Sequence, residues 1–319
     1  MNSLIVALDK LAASQSRNEI LGVASFFRGL IYYHLVSRYG EVPILEAPFS
    51  GDIAASTEEE GWSFVEKNFQ VAIDYAPTFS DKYYVSKQAA KALMARTKLA
   101  QGKLTEAAKL AEEVIGDANF SLADFDQIFR GKANREEIFS FVNLLNESSV
   151  NLSASLYSRA SANGGSYTYA PTTKVMNMFE PDDKRTAISI DMQETNEVIN
   201  KYPGGEVTTD PIIITRLGEM YLISAEAQGL SKGLSRLNEL RNFRGLPSVH
   251  PATEEDFIDA ILNERHTELL AEGFRWFDLV RLNRLESDLG FERKYNRLPI
   301  PAKERSLNKL LNQNSYWAN

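Results

Sequence analysis

Apolar residues recur at three- and four-residue spacing along most of the chain, and residues 257–285 show the pattern most clearly. Phe257, Ile258, Ile261, Leu262, Leu269 and Leu270 fall on one stripe of a helix that must face a core. Gly273 follows the last periodic residue and is predicted to cap that helix in the left-handed conformation. Phe274, Trp276, Phe277, Leu279, Val280 and Leu282 then open a second apolar pattern, so the stretch predicts a tight helix-turn-helix. Between the apolar positions stand Glu264, Arg265, Glu268, Glu272, Arg275, Asp278 and Arg281. Their alternation predicts Arg–carboxylate pairs across the hairpin.

The same period recurs upstream. Residues 2–12 and 19–39 read as amphipathic helices, with Phe26, Phe27, Leu30, Tyr33, His34 and Leu35 on or near one stripe. Trp62, Val65, Phe69 and Ile73 mark another helix, opened by Ser56 or Thr57 and closed before Pro77. Ala95, Gly102, Leu104, Ala107, Ala111 and Val114 have the spacing of a tetratricopeptide helix pair, in which small residues let two helices approach. A looser copy lies at 214–244, with 229–233 as its turn. The expected architecture is therefore mainly α: one domain over 1–319, about four tetratricopeptide-like pairs at 19–76, 87–116, 211–244 and 254–285, and a tail at 286–319. An irregular insertion at 117–210 splits the pairs, with short β-like runs such as 137–144 among Ser-, Asn- and Gly-rich loops.

Composition narrows the function. A net charge of −8 and no Lys/Arg cluster argue against a nucleic-acid or anionic-membrane surface. The absence of cysteine excludes disulfides, thiolate metal sites and cysteine nucleophiles. No stretch reads as the roughly 20 apolar residues of a membrane span. No phosphate loop, nucleophile elbow, zinc-protease motif or EF-hand is present. His34, His250 and His266 stand singly, and the adjacent Asp182 and Asp183 point apart, whereas glycoside hydrolysis needs two facing carboxylates. No enzyme activity, metal or cofactor is expected. Arg265, Glu272, Arg275 and Asp278 are read as a partly buried ion network fixing helix register rather than a ligand clamp, and Trp62, Trp276 and Phe277 as core.

The string NERHTELLAEGFRWFDLVRL resembles the C-terminal signature of the SusD/RagB family, glycan- and nutrient-binding lipoproteins of the outer membrane. FFRGLIYYHLVSRYGEVPI, ITRLGEMYLISAEA and LPIPAKERSLNKLLNQNSY resemble further stretches of that family in the same order. In this resemblance Arg265, Glu272, Gly273, Arg275, Trp276 and Asp278 are structural signature positions. It implies capture of an oligosaccharide or other nutrient at the cell surface for a SusC-like TonB-dependent transporter. It also implies membrane association through an N-terminal lipid anchor, whose cysteine this chain lacks; residues 1–16 hold only a five-residue apolar run, so a short or N-terminally truncated member is expected. The alternative from another class is a peptide- or protein-binding tetratricopeptide-type adaptor with a helical groove.

Sugars present apolar C–H faces and hydroxyl edges together, so a site for them needs exposed rings with polar groups at the margins. Tyr157, Arg159, Asn163, Tyr167 and Tyr169 offer that mixture in one glycine-rich loop, and Phe49 with Asp52 offers a second set. Loops on a rigid scaffold are where such groups sit.

Overall fold

Short polar side chains open several of the long helices. Thr57 Oγ1 accepts the Glu60 N–H at 3.2 Å while the Glu60 carboxylate accepts the Thr57 N–H at 2.8 Å, and Thr253 with Asp256 repeats the arrangement. Ser14 and Ser86 cap two more. The computed structural model describes all residues except 145–151, 158–164, 203–209, 211 and 318–319. The elements run α1 (Asn2–Leu8), α2 (Gln15–Tyr39), α3 (Glu58–Tyr75), α4 (Lys87–Ala100), α5 (Leu104–Ile115), α6 (Phe125–Phe129), β1 (Glu137–Phe141), α7 (Thr173–Met176) and α8 (Thr186–Ser189). They continue as β2 (Ile190–Gln193), β3 (Asn196–Ile199), β4 (Ile212–Arg216), α9 (Leu217–Phe243), α10 (Glu254–Glu268), α11 (Arg275–Arg281), α12 (Leu285–Leu289), a 3₁₀ turn (Arg293–Asn296) and α13 (Ala302–Leu307). The fold is mainly helical, with tetratricopeptide-like helix pairs as its scaffold.

Two compact units divide the chain: Met1–Ser80, Val85–Lys103 and Trp276–Asn319 form the first, Asp81–Tyr84 and Leu104–Arg275 the second. In unit 1, α2 packs on α3 and α3 on α4, burying Phe26, Val36, Val65, Phe69, Ala72, Ala89 and Leu93. A Cβ at Gly22 would lie 2.3 Å from the Ala76 backbone nitrogen, so only glycine lets α2 approach the end of α3 this closely. The sequence showed no candidate membrane span, yet α2 is long and apolar enough by length and composition. Over half of its apolar window is buried within the structure, as a core helix requires.

In unit 2, α5 and α10 both pack on α9. That element is two helices that meet at Gly229 (φ 68°, ψ 178°), and Tyr221 donates to Glu239 across the turn at 3.0 Å. The turn expected at 229–233 is thus confined to Gly229. Gly233 instead lies within the second helix, where a Cβ would come 1.8 Å from the Ala225 carbonyl oxygen. The helix expected from Ile214 begins at Leu217, because residues 212–216 pair with β1 as an antiparallel strand. β2 and β3 form a hairpin inside the insertion, which also holds α6, α7 and α8.

One expectation needs correcting. α10 ends at Glu268 with Leu269 as its C-cap, earlier than the Gly273 the apolar pattern pointed to. The chain then turns through two left-handed residues, Ala271 (φ 60°) and Gly273 (φ 85°). Gly273 has the expected backbone conformation in the connecting turn and does not cap the helix.

Candidate functional site

Glu264, Glu268 and Glu272 recur every four residues, so they project from one side of α10 and the turn beyond it. Glu268 stands at the centre of a fully buried cluster. Its Oε1 accepts Arg216 Nη1 at 2.6 Å and Arg244 Nη2 at 2.8 Å, and its Oε2 accepts Arg185 Nη1 at 2.9 Å and Arg244 Nε at 3.1 Å. Glu136 accepts from Arg216 at 2.7 Å and Arg244 at 2.9 Å. Glu272 accepts from Lys201 at 2.7 Å and Arg216 at 2.8 Å, while Glu264 accepts from Arg185 and Arg241. Burial opposes the charge on Glu268, but the Arg244, Arg216 and Arg185 guanidiniums outweigh it and hold the carboxyl well below its usual range. Burial pushes Lys201 down to about 8, against the pull of Glu272.

The arginines that pair with Glu268 come from the insertion, β4 and α9. β1–β4 pairing sets Glu136 and Arg216 side by side at the start of α9. Of the signature residues, Arg275 ties the turn to α10 by donating to the Leu262 carbonyl at 3.1 Å. Arg265 is buried, and Asp278 accepts twice from Arg281. Asp183 chelates Arg185 within the cluster, a structural duty.

Of the candidate ligand residues, Arg159 and Asn163 lie outside the described residues. Tyr157 is buried at 2% exposure, with its hydroxyl donating to Asn200 at 2.9 Å; burial pushes that hydroxyl up to about 12. Tyr167 takes a positive φ of 50° and donates to the Glu197 carbonyl, which leaves its ring half-buried. Tyr169 is 65% exposed. Backbone bonds from Tyr167 to Tyr157 and from Tyr169 to Ser155 bring these three onto adjoining stretches of unit 2. In unit 1, Phe49 is exposed, whereas Asp52 accepts the Lys309 N–H and helps fix its loop to the tail.

Unit 1 also holds an aromatic surface that periodicity did not reveal. Trp276, Phe291, Tyr295 and Trp317 meet edge to face in a row, with centroids 5.4, 5.5 and 5.3 Å apart. Phe291 is exposed and the other three are half-buried. Lys294 lies over Tyr295 and Trp317, and Trp317 Nε1 donates to the Arg297 carbonyl at 2.7 Å. At the Trp276 end the row meets a cavity of about 260 Å³ lined by Ser37, Arg38, Trp276, Phe277 and Leu298. A bond from the Leu298 N–H to the Arg38 carbonyl, 2.7 Å long, holds its wall together. The one hint in the sequence is the four-residue step from Phe291 to Tyr295. Trp276 and Phe277, expected in the core, are half-buried and line this cavity. Among the described residues no group of three or more His, Asp or Glu could hold a metal.

Residues 90–317 match the model of the SusD family, and residues 1–99 match the one described as starch-binding associating with outer membrane. A SusD-like protein of Formosa agariphila is 26% identical over 93% of this chain and 74% of its own length. Among solved structures, a SusD superfamily protein of Bacteroides vulgatus has a TM-score of 0.84 at 21% identity, over 96% of this chain and 79% of that one. A SusD-like protein of Bacteroides fragilis has a TM-score of 0.85 at 18% identity, over 98% and 83%. A laminarin-binding SusD-like protein has a TM-score of 0.84 at 23% identity, over 98% and 82%. At such identities the structures attest the fold, while the family model reaches across more than half of the residues: the chain belongs to the SusD family.

Proposed function

We propose that this protein captures oligosaccharide at the cell surface and passes it to a SusC-like TonB-dependent transporter of the outer membrane. Its family is one of binding proteins, a similar fold belongs to a laminarin-binding protein, and residues 1–99 match a model described as starch-binding. The observation that carries the reading is the row Trp276–Phe291–Tyr295–Trp317, partly open to solvent and ending in a cavity. Aromatic faces and edges cover the C–H faces of sugar rings, while Arg38, Ser37 and Lys294 offer donors at the margin. Phe49, an exposed ring of the same unit, supplies a further contact.

An open site of this kind binds weakly, with Kd in roughly the micromolar to millimolar range, or about −8 to −4 kcal/mol. Titration calorimetry against a glycan panel tests it. The double variant Phe291→Ala/Trp317→Ala should lose binding with the fold intact, and Phe49→Ala should weaken it less. If no glycan binds the wild type, the function is wrong; if the double variant binds as the wild type does, the site is. Co-purification with an outer-membrane barrel tests the transporter partner, and its absence from native membranes counts against that part.

A further inference from the structure

Arg38 lies in the last turn of α2 with only part of its guanidinium in use. Its Nη1 donates to His34, to Nδ1 at 2.7 Å and to the carbonyl at 3.2 Å. Burial, with help from Arg38 and Arg96, pushes His34 down to about 4, so the imidazole is neutral and its Nδ1 can accept. The guanidinium plane is held over the Phe277 ring, 5.1 Å from the centroid. Among the described residues, Nε and Nη2 have no acceptor on the protein, and no carboxylate pairs with Arg38. The Trp276 indole N–H likewise donates to no described residue. No acidic residue lines the cavity to which Arg38 and Trp276 both contribute.

A guanidinium fixed on one nitrogen presents two parallel N–H groups on its remaining edge, which match the two oxygens of a carboxylate. Besides Arg38 and Ser37 the cavity wall is Trp276, Phe277 and Leu298, which suits a ring rather than a free ion. A cavity of about 260 Å³ is just below the roughly 300–1,000 Å³ of sites for drug-sized ligands, so it takes one residue of a chain. We propose that this cavity is a subsite for a carboxylated sugar, a uronic acid residue, whose carboxylate accepts from Arg38 Nε and Nη2 while its ring lies against Trp276 and Phe277. The rest of the oligosaccharide leaves along Phe291, Tyr295 and Trp317. The chain's net charge of −8 does not oppose this at physiological salt, because charges beyond the screening length of about 8 Å contribute little.

The proposal rests on the carbohydrate reading above and is tested so that the two can fail separately. Trimers of galacturonate, mannuronate and glucuronate are each titrated into the wild-type protein beside their own methyl esters, which keep the ring and remove the charge. At least one acid should bind about tenfold or more tightly than its ester, a preference that Arg38→Gln abolishes by weakening the acid far more than the ester. Arg38→Lys, which keeps the charge but not the planar edge, should retain only part of it. If acids and esters bind equally in all three pairs, the carboxylate subsite is refuted and glycan capture stands. If neither acids, esters nor any neutral glycan binds, both are refuted. An acid preference that survives intact in folded Arg38→Gln also overturns the assignment. Should that variant fail to fold, the ester comparison on the wild type decides alone.

Discussion

Arg216 and Arg38 show what the two units do with the same side chain. In unit 2, Arg216 is sealed from water and all three of its nitrogens meet Glu136, Glu268 and Glu272 or the Glu268 carbonyl. In unit 1, Arg38 is half-buried beside a cavity and rests on a neutral histidine and an aromatic ring. A saturated guanidinium fixes architecture; one with an open edge is available to a ligand. The charges around Glu268 are saturated by one another, whereas the binding chemistry proposed above lies with a less conspicuous arginine and a row of rings.

Acid should break this contrast most widely. Glu268 and Glu272 are held below their ordinary 4.5 by buried cations, so their stabilisation of unit 2 is present above that pH and disappears as pH falls below it. His34, pushed from 6.5 to about 4, takes its proton first in the unfolded chain, so its contribution in unit 1 is lost between those values. Hydrogen exchange followed from neutral pH downward should show α2 losing protection before α10; loss in the reverse order would contradict these assignments.

Glu268→Ala should be the most damaging single substitution, costing about 3–5 kcal/mol because it leaves buried guanidiniums uncompensated. A denaturant midpoint close to wild type would show that the cluster relaxes or admits water. Gly273→Val ranks next. Nothing lies within 4 Å of a Cβ there, so the cost is that of a left-handed β-branched residue, about 1–2 kcal/mol or somewhat more. Thermal melting measures it, and no shift would mean the turn re-forms at negative φ. Arg38→Gln should cost least, under about 1 kcal/mol, since it removes a helix C-terminal contact and no buried ion pair. A larger loss of melting temperature would place Arg38 among the structural arginines.

Helix periodicity and capping signals made the scaffold legible, because each is local: Thr57 with Glu60 and Thr253 with Asp256 are three residues apart. The end of α10 was not, since Leu269 and Leu270 continue an apolar pattern through residues that have already left the helix. The partners of Glu268 were hidden for another reason. Arg185 is 83 residues away and Arg216 is 52, so the β1–β4 pairing and the α9 hairpin had to be known first. Tyrosines 157, 167 and 169 share a loop, yet residue type does not say which hydroxyl finds an acceptor; Asn200 and Glu197 claim the first two. The ring row spans residues 276–317 at spacings of 15, 4 and 22, which fit no period.

The central claim, that glycan lies along the aromatic row of unit 1, is tested most directly by fluorine NMR on protein labelled with 5-fluorotryptophan. The chain has three tryptophans. Trp276 and Trp317 belong to the row, while Trp62 is buried and donates to Glu58 at 3.2 Å. Titration with a glycan that binds by calorimetry should shift or broaden the Trp276 and Trp317 resonances, assigned by Trp→Phe substitution, and leave Trp62 in place. Saturation with both row resonances unmoved would contradict the account.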